Sequence, residues 1–221
     1  MFSLIAFLLS LGCWQLHRAA EKRSLLMQAE AASTQPFSMW SHDMPLPKAY
    51  QQLTVHGSFL PMTFFLDNQY DAHRWGYHVI NPLVLASGEI ILIDRGWILG
   101  DMTRQDFPNT SIPLGSYDIN GQAYYLSEKG FVLGDWIEPK TSQVAVIERI
   151  DIKSISNLLH KKVYPFIIRL DKSAPFGYER HWLIVSMSPA RHQAYAFQWF
   201  VMAFVVMVIY VGLSFRQRAD Q

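Results

Sequence analysis

Two uncharged apolar stretches lie near the ends of the chain, and a pattern of short apolar runs broken by turn residues fills the middle. The longer stretch, Ala194 to Phe215, holds 22 residues without a charge. At ~1.5 Å per helical residue it reaches about 33 Å, against roughly 30 Å of bilayer hydrocarbon, which predicts a transmembrane helix. Gln198 and Ser214 are its strongly polar members, and Tyr195, Trp199 and Tyr210 lie towards its ends, as interfacial aromatics do. Arg216 and Arg218 close it. The other stretch, Met1 to Leu16, is short for a span. No basic segment precedes it, and Trp14, Gln15 and Leu16 stand where a cleaved signal has small residues. The expectation is an uncleaved anchor, a few residues short through a misplaced start.

Between these stretches the pattern predicts strands. Glu21 to Ala32 continues the first helix as a polar, alanine-rich segment, and STQPFSMWSHDMPLP is a proline-punctuated linker. YQQLTVHGSF and TFFLDNQY read as strands, as do GYHVINPLVL and EIILIDRGWIL, which pair across the short connection ASG. Gly100 to Leu114, with Pro108 and Pro113, reads as a loop, and YDINGQAYYL as the next strand. DIKSISNLLH places apolar residues at 152, 155, 158 and 159, a helical spacing, with Asp151 as N-cap. YPFIIRL and HWLIVSM complete the strands. The expected fold class is therefore an α+β membrane protein, with two transmembrane helices bracketing an antiparallel, strand-rich domain, barrel- or sandwich-like, with one helix.

Composition narrows the function. Half the residues are hydrophobic and the net charge is +1, which leaves no basic field for nucleic acid and points to a lipid partner. The single cysteine, Cys13, forms no intrachain disulfide and no zinc-type spacing. Arg18, Lys22, Arg23 and Arg191 flank the central domain and outnumber the basic residues of the tail, a weak vote for a cytoplasmic domain.

The motifs of hydrolases, metalloproteases and nucleotide-binding proteins are absent: there is no GxSxG, HExxH, P-loop or GxGxxG. Asp94, Arg95, Asp67, Asn68, His73 and His78 are candidates for acid–base chemistry, although Asp94 and Arg95 are better read as pairing or hydrogen-bonding at a strand end. The spacing of His73 and His78 fixes no shared face for a metal. A more specific constellation surrounds the second span. On a helix, His192, Ala196, Trp199 and Ala203 fall within about 40° of one line. Ser10, Cys13, Trp14 and His17 form a similar face on the first helix. Small residues permit close approach or leave a slot for a flat ligand, and imidazole is an axial ligand for haem iron. Arg18 and Arg191 can pair with propionates. The residues alone favour the plainer reading, in which the histidines anchor helix ends and the arginines meet lipid headgroups.

Three motifs resemble those of a known family. GCWQLHRAAEKRSLL is similar to the G-x-W-Q-x-x-R-x-x-x-K signature of the surfeit locus proteins, the Surf-one type of cytochrome c oxidase assembly factor. It matches at Gly12, Trp14, Gln15, Arg18 and Lys22. GYHVINPLVLASGEIILIDRGWI resembles the central block of that family, at Gly76, Tyr77, Pro82, Arg95, Gly96 and Trp97. RHQAYAFQWF resembles its H-x-x-Y-A-x-x-W-F block, at His192, Tyr195, Ala196, Trp199 and Phe200. Arg191 stands where family members often carry asparagine.

The resemblance implies a non-enzymatic factor that assists haem a binding or insertion into the oxidase catalytic subunit. Haem a is then the cofactor, held transiently, and haem a synthase a further partner. It implies His192 as ligand, which makes the implied cofactor-contacting set His192, His17, Arg191, Arg18, Trp199 and Tyr195. It also implies a periplasmic domain and the bacterial inner membrane, with the mitochondrial inner membrane as alternative. The expected division is 1–17 first transmembrane helix, 18–47 helical extension and linker, 48–190 extracytoplasmic domain, 191–215 second transmembrane helix and 216–221 cytoplasmic tail. The competing reading is a membrane-tethered docking module that stabilises oxidase subunits without touching haem.

Overall fold

The computed structural model describes residues 2–101, 103, 104, 106–126 and 137–219. Met1, parts of the Gly100 to Leu114 loop and the end of the tail lie outside the described residues. The chain forms two units, one of residues 1–30 with 183–221 and one of residues 31–182.

The helical unit is built from α1 (Phe2–Ser33) and α3 (Pro189–Ala219). α1 runs unbroken through the expected junction at 17–18, because no glycine or proline interrupts Cys13 to Ser33. α3 starts on a serine–proline pair: Ser188 Oγ accepts the backbone N–H of Arg191 at 3.3 Å, and Pro189 occupies the first turn, where its missing N–H costs nothing. Within Pro189–Arg216 an 18-residue window reaches a mean hydropathy of 2.2, and the helix is mostly uncovered, with Phe197, Phe204 and Phe215 all at least 60% exposed. By length and composition it is long and apolar enough to cross a membrane, and it is the one such helix among the described residues.

The strand unit contains β1 (Ser38–Met39), β2 (Gln52–Phe59), β3 (Thr63–Asp71), β4 (Arg74–Val84), β5 (Ile90–Leu99), β6 (Ser116–Tyr124), β7 (Ile137–Pro139), β8 (Val144–Ile147), α2 (Ile152–Leu159) and β9 (Val163–Leu170). The strands form one sheet in the order β1-β2-β6-β9-β5-β4-β3-β8-β7. A second pairing of β2 with β4, at Ser58–Val84 and Phe59–Leu83, closes β2, β6, β9, β5 and β4 into a ring. The sheet is thus barrel-like. It is mixed rather than antiparallel throughout, since β5 pairs with β9, β3 with β8 and β1 with β2 in parallel. HWLIVSM forms no strand: its neighbourhood contributes a single bridge, Glu179 to Trp97, and Trp182 instead donates its indole N–H to the Leu170 carbonyl at 3.1 Å. The short strands β1, β7 and β8 were not apparent from the pattern.

Strand alternation separates the two larger cores, beside a smaller cluster of Phe65, Trp75, Tyr77 and Val79. Ile91, Ile93, Phe166, Ile168 and Leu170 join Leu53, Val55 and Leu83 inside the ring. Ile90, Leu92, Val163 and Ile167 face the other way and are covered by α2 through Ile155. Burial on both faces explains why the first half of β5 is an almost continuous aliphatic run. α2 begins as expected on Asp151, whose carboxylate accepts the Ser154 N–H at 3.0 Å.

Candidate functional site

The helical unit has a seam between α1 and α3 that runs antiparallel. Phe2 meets Tyr210 edge to face at 5.3 Å, a Cβ on Gly12 would lie 2.4 Å from the Phe200 ring, and Gln15 bonds His192 at 2.7 Å. Residue 12 is therefore glycine because the Phe200 ring occupies the space of a side chain. On α3 the stripe expected from the sequence is the buried one: His192, Ala196 and Ala203 are 7%, 1% and 2% exposed, and Trp199 is half-buried. On α1 the face differs from the expected one. Leu8, Gly12 and Ala19 are buried with Gln15 partly so, whereas Ser10, Cys13, Trp14 and His17 are exposed. His17 lies about 200° around the helix from Gln15, so the structure does not bring His17 to His192.

The bond between His192 and Gln15 determines what the imidazole can do. Gln15 contributes its amide oxygen, an acceptor, so His192 Nδ1 must carry the proton. The neutral ring then keeps its lone pair on Nε2, the atom that ligates iron when Nδ1 is held by a hydrogen bond. The donor chemistry thus leaves one ring nitrogen of His192 that would be able to hold a metal. Of the other residues in the expected set, Tyr195 and Arg191 are exposed, and Arg18 is engaged by Glu21 at 2.5 Å. Gln15 was not among the candidates. Its signal was its place in the W-Q dipeptide of the first motif.

In the strand unit the acid–base candidates sort themselves by strand face. Asp94 and Arg95 do not pair with each other, since neighbouring strand residues point to opposite faces. Arg95 turns to the buried interior, where it donates to the Phe176 carbonyl at 2.7 Å, the Ser111 carbonyl at 2.9 Å and Asn81 Oδ1 at 3.0 Å, with its guanidinium over the Tyr178 ring. Burial lowers its pKa, yet no carboxylate is among these partners. Arg95 ties two loops to the sheet. Asp94 turns the other way and meets His78. Asp67 pairs with Arg104 at 3.1 Å, and Ala72 and His73 form the left-handed two-residue turn between β3 and β4.

A bulge makes the His78–Asp94 meeting. β4 places one residue between His78 and Ile80, while β5 places Arg95 and Gly96 between their partners Asp94 and Trp97. Gly96 absorbs the extra residue at φ 111°, and a Cβ there would lie 2.5 Å from the Glu179 carbonyl oxygen. Trp97, beyond the bulge, is 3% exposed.

With this geometry in hand, the comparisons with known proteins are specific. The model of the SURF1 family matches residues 2–204. A SURF1-like protein of Rickettsia conorii is 24% identical over 227 residues, covering 96% of this chain and 88% of that protein. One of Rickettsia felis is 26% identical over 224 residues, covering 92% and 90%.

Proposed function

The chain belongs to the SURF1 family, which is linked to oxidase assembly, and on that premise we propose that it helps deliver haem a to the catalytic subunit of a haem-copper (cytochrome c) oxidase. The observation that carries this reading is the buried His192 whose Nδ1 is committed to Gln15. Haem, when bound, would supply a redox-active iron, and His192 would hold it through Nε2. The protein's own part is to hold and release. Gln15 fixes the ring's tautomer, Trp199 and Tyr195 stand on the turns beside His192, and Arg191 offers a guanidinium for a propionate. α3 spans the bacterial inner membrane with α1 beside it, and the strand unit lies in the periplasm; the rickettsial relatives favour a bacterial setting.

One observation favours the docking-module reading instead: Ala196 and Ala203 are covered by protein, and the Phe200 ring fills the space at Gly12. The two readings part in a complementation experiment. Cells lacking the protein receive wild type or His192→Ala, and the haem a content of captured oxidase is measured per catalytic subunit. Delivery predicts normal abundance of the variant with haem-poor oxidase. Full haem content with His192→Ala would leave docking. A phosphatase inserted in the Gly100 to Leu114 loop should be active and one fused after Gln221 inactive; the reverse would place the strand unit in the cytoplasm.

A further inference from the structure

At the end of β3, Asp71 meets two residues from far along the chain, Glu179 and His181, and one donor atom from each lies within 4.8 Å of the other two. The backbone fixes this meeting. The turn at Ala72 and His73 sets Asp71 beside the hairpin tip, and Glu179 is held by Trp97, whose N–H donates to the Glu179 carbonyl at 2.6 Å and whose carbonyl accepts the Glu179 N–H at 3.0 Å. His181, two residues on, reaches the same place and brings Nδ1 to 3.1 Å from Asp71 Oδ1. The Asp71 side chain is 19% exposed, and those of Glu179 and His181 are 47% and 68%, so the group opens to solvent on one side.

The neighbouring charges do not balance it. Arg74 Nη2 reaches Glu179 Oε2 at 3.1 Å and leans on the Trp97 ring, but it stands 3.8 Å from Asp71 Oδ2, beyond hydrogen-bond range. Arg180, the cation between Glu179 and His181, donates instead to the Asp171, Ala174 and Tyr178 carbonyls. Two carboxylates thus share one guanidinium beside an imidazole, and with that ring neutral the group keeps a net negative charge. Ligand atoms held at ~2.0–2.2 Å by one tetrahedral ion stand about 3.3–3.6 Å apart, close to the 3.1 Å between Asp71 and His181. The exposed Glu179 side chain rotates to close the third side. One imidazole nitrogen with two carboxylate oxygens is a borderline donor set: calcium and magnesium prefer all-oxygen sites, and the group has no thiolate for a soft ion. We propose that Asp71, Glu179 and His181 form a site for a zinc-type divalent ion, which ties the β3–β4 hairpin to the segment around Glu179. The site stands apart from His192 and does not depend on the haem reading above.

The test is a calorimetric titration of untagged, chelator-stripped full-length protein in detergent with zinc chloride. Wild type should bind zinc saturably, and excess magnesium should not displace it. His181→Ala and Asp71→Asn should each weaken zinc binding by about tenfold or more. Both variants should melt with the wild type in the absence of metal, and zinc should raise the Tm of the wild type alone, because an ion that binds only the folded hairpin and segment stabilises them. His56→Ala, at the exposed His56–Asp118 pair on β2 and β6, should leave zinc affinity unchanged. The site is overturned if wild type shows no saturable zinc binding, or if His181→Ala binds as wild type does. A loss with His56→Ala equal to that with His181→Ala would mean an adventitious ion only, and would overturn it as well.

Discussion

Replacing Trp97 by alanine tests whether the R-G-W motif builds the strand unit or meets a partner. The indole is 3% exposed, donates its N–H to the Gln69 carbonyl at 3.1 Å, and lies under the Arg74 guanidinium, 5.0 Å from the ring. A buried tryptophan removes ~150–250 Å² from water, which at ~25 cal/mol per Å² is about 4–6 kcal/mol. Measured truncations of this kind cost ~3–5 kcal/mol, and a typical domain has only ~5–15 to lose. We take about 4 kcal/mol. In a unit of this size 1 kcal/mol moves Tm by ~2–4 °C, so Trp97→Ala should melt about 8–16 °C below wild type in scanning calorimetry of the purified protein. Trp97→Phe keeps a ring and loses the N–H bond, worth ~0.5–1.5 kcal/mol plus some packing, and should fall between the two. Oxidase yield should follow protein abundance in both variants. A Trp97→Ala protein that melts within ~2 °C of wild type yet fails to support oxidase would refute the reasoning and make Trp97 a contact residue.

Arg95→Lys keeps the charge but replaces a forked guanidinium by a point donor that cannot serve the Phe176, Ser111 and Asn81 oxygens together; losing even two charged hydrogen bonds predicts ~3 kcal/mol or more, read as a lower urea midpoint. Asp151→Ala should cost about 1 kcal/mol at neutral pH through loss of the α2 cap. The Ser154 hydroxyl and N–H hold the Asp151 carboxyl below its ordinary 3.8, so the cap's contribution is present above that value and fades as pH falls through the lower folded value. The stability gap between wild type and Asp151→Ala should therefore narrow below about pH 4; a gap that widens in acid would contradict the cap.

Much of this architecture was legible because local pattern and tertiary burial agree. The aliphatic runs of β4 and β5, the spacing of α2 with its aspartate cap, and the His192 stripe on α3 are each set by residues near in sequence. The rest depends on long-range pairing. In α1 the residues before Arg18 are apolar on every side, so hydrophobicity selects no face, and the packed face is chosen by Phe200 and His192 from the other end of the chain. HWLIVSM has a strand's composition but finds no edge to pair with beyond one bridge at Glu179. The His78–Asp94 contact is not legible in the sequence, because the bulge that creates it depends on Gly96 meeting the Glu179 carbonyl, more than 80 residues away.

The central claim concerns His192, and an absorption spectrum addresses it most directly. Wild-type protein purified from cells that make haem a should carry haem a bands of an imidazole-ligated iron. His192→Ala should lose or strongly shift those bands while inserting normally in the membrane, since one interfacial ring adds little to the apolar length of α3. His17→Ala, on the exposed face of α1, should leave the spectrum where it is. Wild type without haem, or a His192→Ala spectrum identical to that of wild type, would contradict the account.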